Sequence, residues 1–240
     1  MNVRISIFLF LLLVGGLNLA ISQDVPVEGD SSPDLRYRED QIYLGLTYNL
    51  ILDKPDGFSQ SNFSYGLNVG VIRDMPINRD RTLALGIGLG YAVNSYYSNL
   101  WADSNAAMAT AETPAYTFIR NRSFYNRNKL EMHLIEVPLE IRWRNSTPDT
   151  FKFWRIYGGV KFGYAFANRS KIITDDFRDT FYNQQVERFR YGLTLNVGYN
   201  TFNLHAYYGL NALFQDGTQT SDGTSLEMAP LRLGLTFYIL

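Results

Sequence analysis

Arg188-Phe189-Arg190-Tyr191-Gly192-Leu193-Thr194-Leu195-Asn196-Val197-Gly198-Tyr199, then Asn200-Thr201, then Phe202-Asn203-Leu204-His205-Ala206-Tyr207-Tyr208-Gly209-Leu210-Asn211-Ala212-Leu213-Phe214: two alternating runs meet at a turn. In the first, Phe189, Tyr191, Leu193, Leu195, Val197 and Tyr199 share one parity, and Arg190, Gly192, Thr194, Asn196 and Gly198 the other. In the second, Phe202, Leu204, Ala206, Tyr208, Leu210, Ala212 and Phe214 stand against Asn203, His205, Tyr207, Gly209 and Asn211. Successive side chains leave a strand on opposite faces, so the stretch reads as a hairpin with one apolar wall and one small or polar wall. Each arm has about the 9–11 residues with which a tilted strand crosses a bilayer. A soluble sandwich also alternates, so the rest of the chain must discriminate.

The same pattern recurs upstream. Ile42, Leu44, Leu46, Tyr48, Leu50 and Leu52 alternate with Gln41, Tyr43, Gly45, Thr47 and Asn49; Phe63 to Val71 and Leu83 to Val93 follow. The polar parity of the third run is Thr82, Ala84, Gly86, Gly88, Gly90 and Ala92, a row with almost no side-chain volume, as a crowded interior requires. A fourth run sets Ile135, Val137, Leu139, Ile141 and Trp143 against Glu136, Pro138, Glu140, Arg142 and Arg144. Leu130, Met132 and Leu134 just before it have the opposite parity, which predicts a bulge near Leu134 and Ile135. The fifth run is Ile156 to Phe166, and the eighth, Leu231 to Ile239, closes the chain.

Connections alternate between long and short, the habit of outer-membrane barrels with long extracellular loops and short periplasmic turns. Aromatics fall into two groups. Phe63, Tyr65, Tyr91, Tyr164, Phe166, Phe189, Tyr191 and Phe214 gather near the outer rim, and Trp143, Tyr199, Phe202 and Phe237 near the inner one, as the two girdles of a membrane barrel do. A lipocalin-like soluble barrel keeps its apolar face inward; here the other parity carries Glu, Arg and Lys. The expected fold is all-β, an eight-stranded antiparallel transmembrane β-barrel over residues 41–240.

The amino terminus supports that address. Arg4, the apolar run Ile7 to Val14 and the small residues Ala20-Ile21-Ser22 describe a signal peptide over residues 1–22, cut after Ser22. Residues 23–40 are acidic, hold Pro26 and Pro33 and have no period, which reads as an exposed periplasmic tail that is solvated or binds a partner. The 240 residues carry a formal charge of −1 and no cysteine. The first argues against a nucleic-acid surface; the second excludes disulfides, thiolate metal sites and a lipidated amino-terminal cysteine.

Candidate sites are of two kinds. Glu136, Glu140, Arg142, Arg144, Arg155, Lys161, Arg190 and Arg232 share the inward parity. In a barrel just wide enough for side chains to fill it, they are expected to pair into a polar plug, with an anion site as the alternative because cations outnumber carboxylates. The segment from Ser95 to Lys129 holds Tyr96, Tyr97, Trp101, Tyr116, Arg120, Arg122 and Phe124, the residue types that protein interfaces enrich. It is either a partner-binding loop or one packed on itself over the barrel mouth. His133 and His205 are the only histidines, on different strands and without a metalloprotease spacing. A triad assembled in space, as in a lipid-modifying barrel enzyme, is the lesser alternative to a chain with no catalytic residue, cofactor or metal.

Several segments resemble the PorT-like outer-membrane barrel proteins of the Bacteroidetes. They are Tyr37-Arg38-Glu39-Asp40-Gln41, Arg73-Asp74-Met75-Pro76-Ile77-Asn78, His133-Leu134-Ile135-Glu136-Val137-Pro138-Leu139, Phe153-Trp154-Arg155-Ile156-Tyr157-Gly158-Gly159 and Gly234-Leu235-Thr236-Phe237-Tyr238-Ile239-Leu240. The resemblance implies a part in type IX protein secretion, which supports gliding in some members, with protein partners in a secretion complex and no catalytic residues to carry over; no small-molecule substrate is identified from the sequence. A closed structural or adhesion barrel that binds ligands through its outer loops is the second expectation.

Overall fold

The computed structural model describes residues 40–106, 109, 112–145, 154–199 and 202–239. The expected signal peptide, most of the acidic tail, the turn Asn200-Thr201 and Leu240 lie outside the described residues. The strands are β1 (Asp40–Leu52), β2 (Tyr65–Pro76), β3 (Leu83–Tyr97), β4 (Leu100–Asp103), β5 (Ala115–Phe118), β6 (Arg127–Arg144), β7 (Trp154–Ile173), β8 (Arg178–Tyr182), β9 (Phe189–Tyr199), β10 (Phe202–Gly209) and β11 (Ala229–Ile239).

Eight of them form an antiparallel sheet in the order β6-β3-β2-β1-β11-β10-β9-β7, and pairing of β6 with β7 closes it into a barrel. β8 extends the sheet beside the end of β7, and β4 with β5 makes a separate hairpin. The strand ends joined from β2 to β3, from β6 to β7 and from β9 to β10 lie on the side of the start of β1 and the end of β11; those joined by the longer connections lie at the other end. By the rule for outer-membrane barrels the first end is periplasmic and the second extracellular.

The outward wall is hydrocarbon. Ile42, Leu67, Leu89, Ile141, Leu193, Leu204 and Ile239 all face out, Leu204 with 68% of its surface open. Tyr191 and Tyr199 bound this wall on β9; eight residues at about 3.3 Å each, tilted by ~40°, rise roughly 20 Å, near the ~25 Å apolar band of such barrels. At the periplasmic rim Trp154 lies tilted beside Tyr199 with ring centres 5.4 Å apart, and Phe202 meets Phe237 edge-on at 5.2 Å.

The inward face is filled. Gly86 and Gly90 of β3 are small for a physical reason: a Cβ on Gly90 would stand 2.0 Å from the Tyr43 hydroxyl, and one on Gly86 2.9 Å from Arg142 Cδ. Their missing side chains are the space in which the tyrosine and the arginine lie.

Three expectations need correction. The register shifts between His133 and Leu134, but the extra residue is on β7: His133 pairs Ala167 and Leu134 pairs Ala165, leaving Phe166 over. β6 therefore keeps one parity throughout, and Met132 and Leu134 are buried inside the barrel. Second, the segment from Ser95 to Lys129 is not all loop. β3 continues to Tyr97, β6 starts at Arg127, and β4 pairs with β5 between them. Above the lipid no hydrocarbon demands an apolar outer face, so alternation fades from the sequence while the ladder continues. Third, Phe214 leaves the outer rim. β10 ends at Gly209, and Leu213 and Phe214 turn inward, Leu213 N–H donating to Met228 O at 2.8 Å.

Candidate functional site: a plugged barrel under an extracellular crown

The inward strands bring the predicted polar residues together in two clusters. Near the periplasmic end Asp74 bridges two arginines, accepting from Arg142 Nη1 at 3.0 Å and facing Arg144 Nη1 at 2.7 Å. Arg142 also donates through Nε to Glu140 at 3.0 Å and through Nη1 to Gln41 at 3.1 Å, and its guanidinium lies 4.2 Å from the centre of the Tyr157 ring. Arg144 donates through Nε to the Arg81 carbonyl at 2.8 Å. Arg155 sits 6.0 Å from the ring centres of both Tyr157 and Tyr238. One storey up, Glu136 holds Arg232 at 2.9 Å and Lys161 at 3.2 Å, and Arg232 lies 3.6 Å from the centre of the Tyr207 ring. His205 Nδ1 meets Asn196 Oδ1 at 2.7 Å beside them. Arg190, highest in the barrel, donates to the Ala212 and Asn211 carbonyls.

Sequence reasoning missed Asp74, which lies past Val71, where it ended the second run. The signal was present: Asp74 has the parity of Gly70 and Ile72, the inward one, and β2 runs on to Pro76. With it, three carboxylates stand among six buried cations among the described residues. The cavity between the clusters, lined by Tyr43, Lys161, Asn196, His205 and Tyr238, has about 10 Å³, the room of about one water.

Above the plug the long connections knit into a crown. Asn99 Nδ2 donates to the Gly57 carbonyl at 2.8 Å, Ser221 N–H to the Tyr116 carbonyl at 2.8 Å, and Tyr116 Oη to Asn183 Oδ1 at 2.9 Å. Burial raises the Tyr116 phenol well above its ordinary range, so it stays a neutral donor. Under these bonds Ile51, Phe58, Tyr96, Met132, Leu213, Phe214 and Met228 pack into an apolar core over the barrel mouth. Its cavity is about 20 Å³.

The residues singled out between Ser95 and Lys129 therefore divide. Tyr96 and Tyr116 belong to the crown's interior and are not available to a partner. Tyr97 lies under Lys129, and Arg122 donates to Tyr125 O and Asn62 Oδ1, both at 3.1 Å. Trp101 and Phe124 form an outward aromatic cluster with Phe177, with ring centres 5.9 and 6.2 Å from Trp101. Arg120 lines an open cleft of about 530 Å³ with Asp56, Phe118, Ser221, Asp222 and Thr224.

The histidines lie apart. His205 is buried in the plug; His133 faces outward, its Nδ1 2.6 Å from Tyr91 Oη and its Nε2 3.4 Å from Glu131 Oε1. Neither has a serine or threonine hydroxyl as hydrogen-bond partner among the described residues.

A sealed interior has a direct electrical consequence. In a planar bilayer the folded protein is expected to give no conductance steps; stable single-channel steps would show that the plug opens.

Comparison with curated proteins returns no match. The family model for an outer membrane protein beta-barrel domain matches residues 22–215, most of the chain and seven of its eight barrel strands. With the closed barrel, its hydrocarbon belt and its plugged interior, the chain belongs to the outer membrane protein beta-barrel domain family.

Proposed function

We propose that the protein is a non-enzymatic barrel that works through its crown and its protein partners, as an accessory or assembly component of type IX secretion. The observation that carries this reading is the filled interior. A barrel whose lumen holds paired charges and cavities the size of one water offers neither a passage nor a substrate pocket there. What remains is surface. The cluster of Trp101, Phe124 and Phe177, with the two phenylalanines each 42% exposed, is of the kind that anchors protein interfaces. The secretion assignment draws its support from the PorT-like segments, among them Arg73-Asp74-Met75-Pro76 and His133 to Leu139.

The crown cleft favours a second reading, a barrel that binds external ligands. Its volume of about 530 Å³ is that of a ligand site, and Phe118, Arg120, Asp56 and Asp222 give it a ring and both signs of charge.

The test is the extracellular protein profile of a strain lacking this gene, with the intact gene and a Trp101→Ala/Phe124→Ala/Phe177→Ala form restored in parallel. The expected result is retention of secreted proteins in the deletion strain, cured by the intact gene and not by the triple variant. Matching profiles in deletion and parent would end the secretion reading and leave the ligand-binding barrel.

A further inference from the structure

The outer face of β6, β7 and β8 above the aromatic belt carries charge that neither the plug nor the crown uses. Lys129 lies opposite Lys171, Arg127 opposite Ile173, and Ile173 opposite Arg178; Arg169 stands between Glu131 and Tyr182. Residues two apart share a strand face, so Arg127, Lys129, Arg169, Lys171 and Arg178 look outward together. Paired Cβ atoms across such a ladder are about 4.5–5.5 Å apart, and like charges directly opposite destabilise the pair. Glu131 answers only part of this. It is bound to Lys129 and faces His133, while Arg127, Lys171 and Arg178 make no ion pair among the described residues. Lys171, above the membrane-spanning part of its strand, has its ammonium held below the ordinary range, first by desolvation and then by Arg178, Lys129 and Arg127.

Directly beneath these cations stand the rings of the outer belt. Tyr91 and Phe166 have centres 6.3 Å apart, and His133 lies 6.3 Å from Phe166 and hydrogen-bonds Tyr91. Phe166, the bulge residue, is 54% exposed and Tyr164 49%. Such rings mark the headgroup level of a membrane. The cations therefore begin where the headgroups of the outer leaflet stand.

We propose that this face binds the phosphorylated headgroup of an outer-leaflet glycolipid. Arg127 and Arg178, on either side of Ile173, offer planar forks that match a phosphate bidentately, and Lys129 and Lys171 offer point charges in the row below them, nearer the membrane. The phosphate supplies the counter-charge that the Lys129–Lys171 pairing lacks. Acyl chains of the same lipid run down over Phe166 and Tyr164, so one molecule meets both the charges and the rings.

The experiment uses the full chain, folded in nanodiscs, and native mass spectrometry of the lipid it retains. The probes are a bisphosphorylated glycolipid, the same glycolipid after phosphatase treatment, and inorganic phosphate. The wild-type protein is expected to retain the phosphorylated lipid at least ~10-fold better than the dephosphorylated one, since each cation near such a headgroup contributes a sizeable share of binding. The Arg127→Gln/Lys171→Gln/Arg178→Gln variant is expected to lose that preference, and the charge-keeping Arg127→Lys/Lys171→Arg/Arg178→Lys variant to keep most of it. Heat-dependent gel mobility checks that each variant is folded, and the wild-type comparison stands even where a variant is not. Equal retention of the two lipids, undiminished binding by the folded Gln variant, or inorganic phosphate competing at the lipid's own affinity would each overturn the proposal. So would a co-purifying protein that shields Lys171 from acylation where no lipid is retained.

Discussion

Asp74→Asn is expected to destabilise the barrel by about 3–5 kcal/mol, the range for removing one partner of a buried ion pair. The side chain is fully buried and is held by two guanidinium groups at once, Arg142 at 3.0 Å and Arg144 at 2.7 Å, whose side chains are equally buried. An amide of the same shape leaves the packing intact, removes the charge and turns one of the two acceptor oxygens into a donor. Arg142 keeps Glu140 and Gln41, so the greater loss falls on Arg144, which among the described residues retains the Arg81 carbonyl. Urea unfolding of the protein in lipid vesicles, followed by Trp fluorescence, measures the change. Asp74→Asn/Arg144→Met is expected to recover part of it, because one stranded cation is gone. Glu227→Gln, on the exposed crown beside Ser225, serves as a control and should change stability by less than about 0.5 kcal/mol. A loss below about 1 kcal/mol for Asp74→Asn would mean that water or another carboxylate reaches the arginines, and the plug would then not be the closed network its geometry describes.

Asp74 also shows where sequence reading stops. The eight strands and their inward and outward sets could be read because lipid outside and a filled lumen inside impose opposite chemistry on alternate residues. The same physics explains the failures, which cluster where one of the two constraints ends. Above the belt there is no lipid, so β6 and β7 run on through Lys129, Glu131 and Arg169 with a mostly charged outer face. Inside the upper barrel the crown replaces charge with hydrocarbon, so Met132 and Leu134 point inward and mimic a change of parity. The real change lies in β7, where Phe166 is the extra residue, and a pattern of large apolar side chains alone does not show which strand holds it. Of the plug, the cations were legible by parity; the tyrosines under them were seen only as inward residues, since their contacts join strands distant in sequence. Tyr157 and Tyr238, which carry Arg142 on their faces, lie on β7 and β11, with β8, β9 and β10 between them in the chain.

Gly159→Ala is expected to prevent barrel closure, while Gly163→Ala on the same strand and the same face is tolerated. The difference lies in what a Cβ would meet. At Gly159 it would stand 1.9 Å from the Leu139 carbonyl oxygen and 2.8 Å from the Glu140 Cα, both backbone atoms of β6. These cannot rotate away as a side chain can, so β6 and β7 would have to part at Glu140 and Gly159, within the continuous ladder of the closed barrel. Forcing volume into a packed interior typically costs about 1–3 kcal/mol, and here the cost is added to by ladder hydrogen bonds lost in a region without water. At Gly163 the nearest atoms would be Leu134 Cδ2 at 3.4 Å and Arg190 Cβ at 3.5 Å, ordinary contacts, and that variant should fold within about 1 kcal/mol of the parent. The fraction of protein that keeps fast, heat-sensitive mobility on a gel after refolding into vesicles reads both outcomes. Equal folding of the two variants would show that β6 and β7 can separate locally without opening the barrel. The β6–β7 pairing would then be a yielding part of the wall, and a rigid closed barrel could no longer be the support on which the crown is held.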